Sequence, residues 1–257
     1  MFLRYDQFDH NETGPSIASP FRSDFSTVEA PIFKTVAFDL DGTLADTGPD
    51  LAAALNCALA YLDRPPQALE IVRAMIGHGT RALLQRGLTA TGDCSEALID
   101  TAYPVLMRFY EDHICDLTRP YPGLEKALDQ LSGAGVALAI CTNKPLYLTK
   151  ALIGALGWSG RFASVVGGDS LAVSKPDPAP LIEAISRASG GPAAFVGDSI
   201  VDVLTAQAAR IPCIAVSFGF ADRPVGELGA DLVIDHYDSL LPGLGGLFSS
   251  GEPVLTC

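Results

Sequence analysis

The chain has 257 residues, with 17 basic and 30 acidic side chains, for a formal net charge of −13. This acidic balance argues against a nucleic-acid partner or an anionic membrane surface, because phosphate-bearing surfaces recruit lysine and arginine. Apolar residues make up 48% and charged residues 18%, which excludes a largely disordered chain. No apolar run reaches the ~18 residues of a membrane span, and charges interrupt the segment 1–10 where a signal peptide needs an apolar core. We therefore expect a globular cytoplasmic protein.

The two ends of the chain differ in pattern from the rest. Residues 1–33 lack helical or strand periodicity and are predicted to form an irregular N-terminal extension. A non-Met translation start near Val28 would shorten this extension. Residues 249–257 are predicted to form a C-terminal tail.

Between these ends, short apolar runs alternate with helical patterns, an order typical of a parallel sheet covered by helices on both faces. The predicted strands lie at 35–38, 136–140, 164–166, 193–196, 213–216 and 232–234. Helices are predicted at 123–132, 145–157, 178–189 and 200–210. Right-handed crossovers between such strands give an α/β fold with a doubly wound, Rossmann-like parallel sheet.

One long interval interrupts the alternation, because residues 48–118 carry no convincing strand pattern. Helical patterns fill it at 49–62, 66–76, 80–88 and 95–114. We interpret residues 48–118 as an inserted all-α cap domain, with residues 34–47 and 119–248 forming the α/β core.

Polar side chains follow the predicted strands where each one ends. Asp39 and Asp41 follow the first strand, Thr142 and Asn143 the second, and Asp198 the fourth. In open α/β sheets, ligands bind beyond the carboxyl ends of the strands. Each residue alone also suits a helix N-cap or a turn, but together they predict a shared site.

Two further residues extend this predicted site: Lys175 can reach the same edge, and Asp202 lies one helical turn beyond Asp198. Clustered carboxylates repel one another and require a cation, and hard oxygen ligands without thiolate or imidazole favour Mg²⁺. Mg²⁺ and Lys175 would also offset the repulsion between a carboxylate nucleophile and a phosphate.

Four sequence motifs carry a family resemblance. FDLDGTLADT (38–47), CTNKP (141–145), SKPDP (174–178) and GDSIVD (197–202) resemble, in order, the four motifs of the haloacid dehalogenase superfamily. The position of the helical insertion between the first and second motifs is also similar.

The resemblance implies a role for each motif residue. Asp39 would be the nucleophile that forms an aspartyl-phosphate, and Asp41 the general acid and then base. Thr142, Asn143 and Lys175 would bind the phosphoryl group. Mg²⁺ would be held by Asp39, the backbone carbonyl of Asp41 and Asp198, with Asp202 in the outer shell. The presence of Asp41 disfavours dehalogenation, since dehalogenases resemble this pattern but lack that acid.

Longer stretches around these motifs, at 39–51, 76–88, 121–128, 167–181 and 195–209, are similar to the phosphoglycolate phosphatases of this superfamily. This resemblance implies hydrolysis of 2-phosphoglycolate to glycolate and phosphate. A cap that selects this substrate needs a partner for its carboxylate. Gly77, His78 and Gly79 with Arg81 are the predicted specificity residues, because glycines allow close backbone approach and arginine binds carboxylates bidentately.

Other functions stay open from the sequence. The same chemistry suits another small phosphorylated metabolite, such as a sugar phosphate, or pyrophosphate. A phosphomutase is a further alternative. A phosphonatase is disfavoured because it would need a cap lysine to form a Schiff base, and no lysine lies between Lys34 and Lys126. A phospho-accepting signalling module is the alternative from another class. The sequence leaves the choice between monomer and homodimer open.

Overall fold

The computed structural model describes residues 33–221 and 223–249. The strands, in chain order, are β1 (Thr35–Phe38), β2 (Ala45–Asp46), β3 (Arg119–Pro120), β4 (Ala137–Cys141), β5 (Ser164–Val166), β6 (Ala193–Gly197), β7 (Cys213–Val216) and β8 (Leu232–Ile234). The helices are α1 (Gly48–Tyr61), α2 (Leu69–Arg73), α3 (Thr80–Thr91), α4 (Glu96–Asp112), α5 (Leu124–Gly133), α6 (Leu146–Ala155), α7 (Ala179–Ala188), α8 (Ile200–Ala209) and α9 (Leu240–Ser249).

Six of the strands form one parallel sheet in the order β5-β4-β1-β6-β7-β8. In the register, Val36 lies between Leu138 and Ala194. The predicted doubly wound, Rossmann-like class is confirmed. The strand order reverses between β1 and β6, and this reversal opens a crevice at the carboxyl ends of the strands.

Helices cover both faces of the sheet, which explains why its strands are continuous apolar runs. Val36 and Phe38 of β1 point into a core with α5, α6 and α9, whereas Ala37 points into a second core with α7 and α8. All four residues of β1 are buried. Burial on both faces removes the polar alternation that a half-exposed strand would carry.

Helices α1 to α4, called the helical block below, form a separate cluster with its own apolar core around Leu55, Leu84 and Leu106. The predicted helical patterns between the first two strands of the sheet correspond to these four helices, although α2 covers less than the expected 66–76. An antiparallel ribbon of β2 and β3, which the sequence did not predict, connects the block to the sheet. The assignment of 48–118 as a cap domain stays a proposal.

A buried carboxylate ties together the two connections of the helical block. Asp50, in the first turn of α1, accepts hydrogen bonds from the backbone N–H groups of Leu117 and Thr118 and from the Thr118 hydroxyl, at 2.7 to 3.1 Å. The segments by which the chain enters and leaves the helical block are therefore held next to each other.

In the part of the chain that the structure describes, no helix combines the length and apolar character needed to cross a membrane. The predicted N-terminal extension, the alternative start near Val28 and the predicted C-terminal tail lie outside the described residues, apart from Phe33 and Ser249.

Candidate active site

Three carboxylates meet at the crevice between β1 and β6. Asp39 follows β1, Asp198 follows β6, and Asp202 lies in the first turn of α8. One oxygen atom of each lies within 4.8 Å of the others, and all three residues are buried. The fold thus brings Asp39 of the first motif together with Asp198 and Asp202 of the fourth motif, which is far away in the sequence.

The loop after β1 is shaped around Asp198. Oδ1 of Asp198 accepts a hydrogen bond from the Thr43 hydroxyl at 3.0 Å, and Oδ2 accepts one from the Phe220 N–H at 2.6 Å. Gly42 has a φ of +83°, and a Cβ there would collide with the Asp198 carboxylate. Glycine at this position therefore allows the first motif to approach the fourth closely.

Asp202 has both carboxylate oxygens committed to protein donors. Its Oδ2 accepts hydrogen bonds from the Ser199 hydroxyl at 2.6 Å and from the N–H groups of Ser199 and Asp198 at 3.1 and 3.2 Å. These contacts belong to the capping box that starts α8. The other oxygen, Oδ1, accepts from Lys175 Nζ at 2.6 Å. Asp202 is thereby suited to orient its neighbours.

Lys175 lies between two of the carboxylates, with Nζ at 2.9 Å from Asp39 Oδ1 and 2.6 Å from Asp202 Oδ1. Burial by itself would lower the pKa of Lys175, but Asp202 and Asp39 together hold it above its ordinary value. Burial raises the pKa of Asp39 to about 6, reinforced by the charges of Asp202 and Asp41 and opposed by Lys175. The lysine therefore stays charged while the nucleophile candidate resists ionisation.

The cluster fits a divalent cation. Oδ1 of Asp39 is buried and accepts no well-aligned hydrogen bond from the described residues. Burial, together with the charges of Asp202 and Asp39, raises the pKa of Asp198 well above its ordinary value. Because Lys175 balances only one of three negative charges, and because all the side-chain donors are hard oxygens, the set suits Mg²⁺.

Thr142 and Asn143, both predicted to bind phosphate, follow β4 and lie at the same edge. The Asn143 amide nitrogen donates to the carbonyl oxygens of Gly77 and Lys175, both at 3.1 Å, and its oxygen accepts from the Lys175 N–H at 2.9 Å. Asn143 thus fastens three loops together. Among the described residues, the Thr142 hydroxyl oxygen accepts only the Lys144 N–H, which leaves its proton for a ligand.

A narrow cavity separates this edge of the sheet from the helical block. It is lined by Asp39, Asp41, Leu51, Ile76, Gly77, Gly79, Thr80, Leu83, Thr142, Asn143 and Lys144. Its volume of about 20 Å³ is room for roughly one water molecule. A phosphate ester does not fit into a cavity of this size.

The predicted specificity residues separate into two groups. Gly77 and Gly79 line the cavity, but His78 is exposed and faces a different surface groove. Arg81 points outward, where its guanidinium pairs with Glu96 at 2.5 Å and Asp100 at 3.2 Å. The structure does not bring His78 or Arg81 to the cavity: His78, in the loop before α3, lines the other groove, and Arg81, in the first turn of α3, is directed to the outer face of the block.

Two residues at the site were missed from the sequence, Lys144 and Tyr110. Lys144 is buried, and its Nζ donates to Asp41 Oδ1 at 2.9 Å and to the Tyr110 hydroxyl at 2.5 Å. Lys144 directly follows Thr142 and Asn143, so its position after a strand was an available signal. Tyr110 lies within α4, where an aromatic residue on an apolar face is indistinguishable from an ordinary core residue.

Comparisons with known proteins agree with this geometry. The family profile of haloacid dehalogenase-like hydrolases matches residues 33–210. The phosphoglycolate phosphatase of Caulobacter vibrioides is 43% identical over 79% of this chain and 87% of its own length. The phosphoglycolate phosphatase of Agrobacterium fabrum is 38% identical over 83% of this chain and 93% of its own length. A crystal structure of a predicted phosphoglycolate phosphatase from Haemophilus somnus has a TM-score of 0.78 and 30% identity, covering 82% of this chain and 97% of that one.

Proposed function

The chain belongs to the haloacid dehalogenase-like hydrolases and is a phosphatase, and from this premise we propose that it hydrolyses 2-phosphoglycolate to glycolate and phosphate with Mg²⁺ and an aspartyl-phosphate intermediate. The observation that carries the chemistry is the buried cluster of Asp39, Asp198 and Asp202 around Lys175, beside Asp41. The substrate is supported by the relatives of about 40% identity that are named phosphoglycolate phosphatase.

The first half of the reaction transfers the phosphoryl group to Asp39. A carboxylate oxygen of Asp39 attacks phosphorus, and the bond from phosphorus to the glycolate oxygen breaks. Asp41 gives its proton to the departing oxygen. The Thr142 hydroxyl and the Lys175 ammonium bind the phosphoryl oxygens and stabilise the charge that develops on them.

The second half regenerates the enzyme. Asp41, now ionised, takes a proton from water, and the water oxygen attacks phosphorus as the bond to Asp39 breaks. Asp39, the carbonyl of Asp41 and Asp198 would hold Mg²⁺, with Asp202 supporting from the outer shell. When bound there, Mg²⁺ would neutralise charge on the nucleophile and the phosphate.

The helical block contributes by enclosing the reacting groups. Its residues Gly77 and Gly79 form the wall of the cavity opposite Thr142 and Asp41. We propose that the block acts as a cap that opens for substrate and closes for transfer, which excludes competing water while the phosphoryl group moves.

The test is phosphate release, with Mg²⁺ or with EDTA, from 2-phosphoglycolate, hexose phosphates, nucleotides and pyrophosphate. The expected result is Mg²⁺-dependent release with 2-phosphoglycolate as the preferred substrate. Preference for another compound would overturn the substrate and retain the chemistry. Stoichiometric phosphorylation of Asp39 without turnover would instead favour a phospho-accepting module.

A further inference from the structure

The cavity between the sheet edge and the helical block contains a cation that is not among the groups proposed to bind the phosphoryl oxygens. Among the described residues that line this cavity, Lys144 alone has a cationic side chain. Lys175 lies deeper, between Asp39 and Asp202, and Arg81 is held on the outer surface by Glu96 and Asp100. An anionic group that enters the cavity beyond the phosphate therefore meets Lys144.

The surroundings of Lys144 are built to hold an ammonium group away from bulk water. Its side chain is 1% exposed, and Nζ lies 4.4 Å from the centre of the Tyr110 ring. Within the described part of the chain, Nζ donates to the Asp41 carboxylate and the Tyr110 hydroxyl. An ammonium has three donors, and three acceptors lie around it: Asp41 Oδ1 at 2.9 Å, Asp41 Oδ2 at 3.3 Å and the Tyr110 hydroxyl at 2.5 Å. The contact to Asp41 Oδ2 is the longest of the three, so it is the one that an incoming ligand oxygen can replace.

The neighbour of Lys144 fixes how far the second anion lies from the phosphate. Asp41 is the residue that meets the ester oxygen in the proposed reaction, and its Oδ1 is 2.9 Å from Lys144 Nζ. A hydrogen bond from Asp41 to the ester oxygen spans roughly 2.7 Å. The ammonium is thus within about two hydrogen-bond lengths of that oxygen, the reach of a carboxylate separated from it by a single methylene group.

We propose that Lys144 is the specificity-determining residue that binds the substrate carboxylate, and that Tyr110 positions its ammonium group. This inference rests on the proposed function and deepens it by assigning the second anion of the substrate. The carboxylate takes the N–H donor that otherwise reaches Asp41 Oδ2, while Asp41 Oδ1 keeps its contact with the ammonium. Because Tyr110 comes from α4 and Lys144 from the loop after β4, the carboxylate site is complete only when the helical block lies over the sheet edge.

The test compares 2-phosphoglycolate with ethyl phosphate, which has the same two-carbon chain without the carboxylate. The measured quantity is the ratio of kcat/KM for the two substrates. Both substrates release a primary alkoxide oxygen beside Asp41, so loss of the Asp41 contact is expected to change both rates by a similar factor, which cancels in this ratio. Lys144→Met is expected to lower the ratio by at least about 30-fold, as expected for losing a charge-assisted hydrogen bond.

Lys150→Met is the matched control, because Lys150 is an exposed lysine of α6. In this control the ratio of the two kcat/KM values is expected to stay within about twofold of the wild-type ratio, as for other surface substitutions. An unchanged ratio in Lys144→Met would overturn the proposal and leave Lys144 a partner of Asp41 only.

Tyr110→Phe keeps the ring and removes the hydroxyl, so it is informative even where Lys144→Met fails to fold. We expect the ratio to fall about threefold to tenfold, with a parallel weakening of inhibition by glycolate. An unchanged ratio and unchanged glycolate inhibition would overturn the positioning role. If the wild-type protein does not prefer 2-phosphoglycolate to ethyl phosphate, the proposed substrate is refuted instead. Failure of the proposed substrate is thereby distinguished from failure of the Lys144 assignment.

Discussion

Replacing Asp39 by asparagine is expected to abolish phosphate release and, at the same time, to stabilise the metal-free protein. The carboxyl is buried with Asp202 and Asp41 nearby, and its pKa rises from 3.8 to about 6. At pH 7, ionising it therefore costs about 3 kcal/mol more in the folded than in the unfolded chain. Asparagine removes this cost, because it is never ionised.

The sign of the effect determines its pH dependence. Below about pH 4 the carboxyl is protonated in both the folded and the unfolded chain, so Asp39→Asn does not raise the free energy of unfolding there. The gain grows as the pH rises through the interval from 3.8 to about 6 and is complete above it. For a chain of this size, about 3 kcal/mol corresponds to an increase in Tm of roughly 6 to 12 °C.

The assay is thermal and urea unfolding in EDTA at several pH values, beside phosphate release with Mg²⁺. Asp100→Asn is the control, because Asp100 is 69% exposed and its neutralisation should change stability by less than about 0.5 kcal/mol. Added Mg²⁺ should stabilise the wild type more than Asp39→Asn, since the variant lacks one of the proposed Mg²⁺ ligands. A variant less stable than wild type at pH 7 in EDTA would refute the electrostatic reasoning, and Mg²⁺-dependent turnover would refute the nucleophile assignment.

Two further substitutions test the placement of other charged residues. Arg81→Ala is expected to change KM for 2-phosphoglycolate by less than about twofold, because Glu96 and Asp100 hold this arginine on the surface; a large increase confined to the carboxylated substrate would restore the sequence-based prediction. Asp50→Ala is expected to lower the free energy of unfolding by about 3 kcal/mol, since it leaves the buried donors of Thr118 without an acceptor. Urea unfolding measures this loss, and a value below about 1 kcal/mol would show that Asp50 does not fasten the helical block.

In the helical block, hydrophobic periodicity predicted helices but not the strands that connect the block to the sheet. Helices α1, α3 and α4 were predictable because each repeats apolar residues at helical spacing over 12 to 17 residues, whereas the short α2 was predicted too long. The ribbon of β2 and β3 was not predictable from the sequence. Two residues per strand are too few to show an alternating pattern, and the pairing joins segments separated by the whole block. The boundaries of the block depend on such long-range contacts, which local sequence does not encode.

The amino-acid sequence by itself determined the class of fold, the set of carboxylates and the family resemblance, because buried parallel strands and strand-end motifs are local patterns. Only the tertiary structure decided which cation faces the cavity. Arg81 suited a carboxylate by residue type, but α3 directs it toward Glu96 and Asp100. Lys144 reaches the cavity because β4 ends beside β1 and α4 brings Tyr110 over it, a meeting of three segments separated by many residues. Side-chain direction depends on packing between elements, and packing is a property of the folded chain.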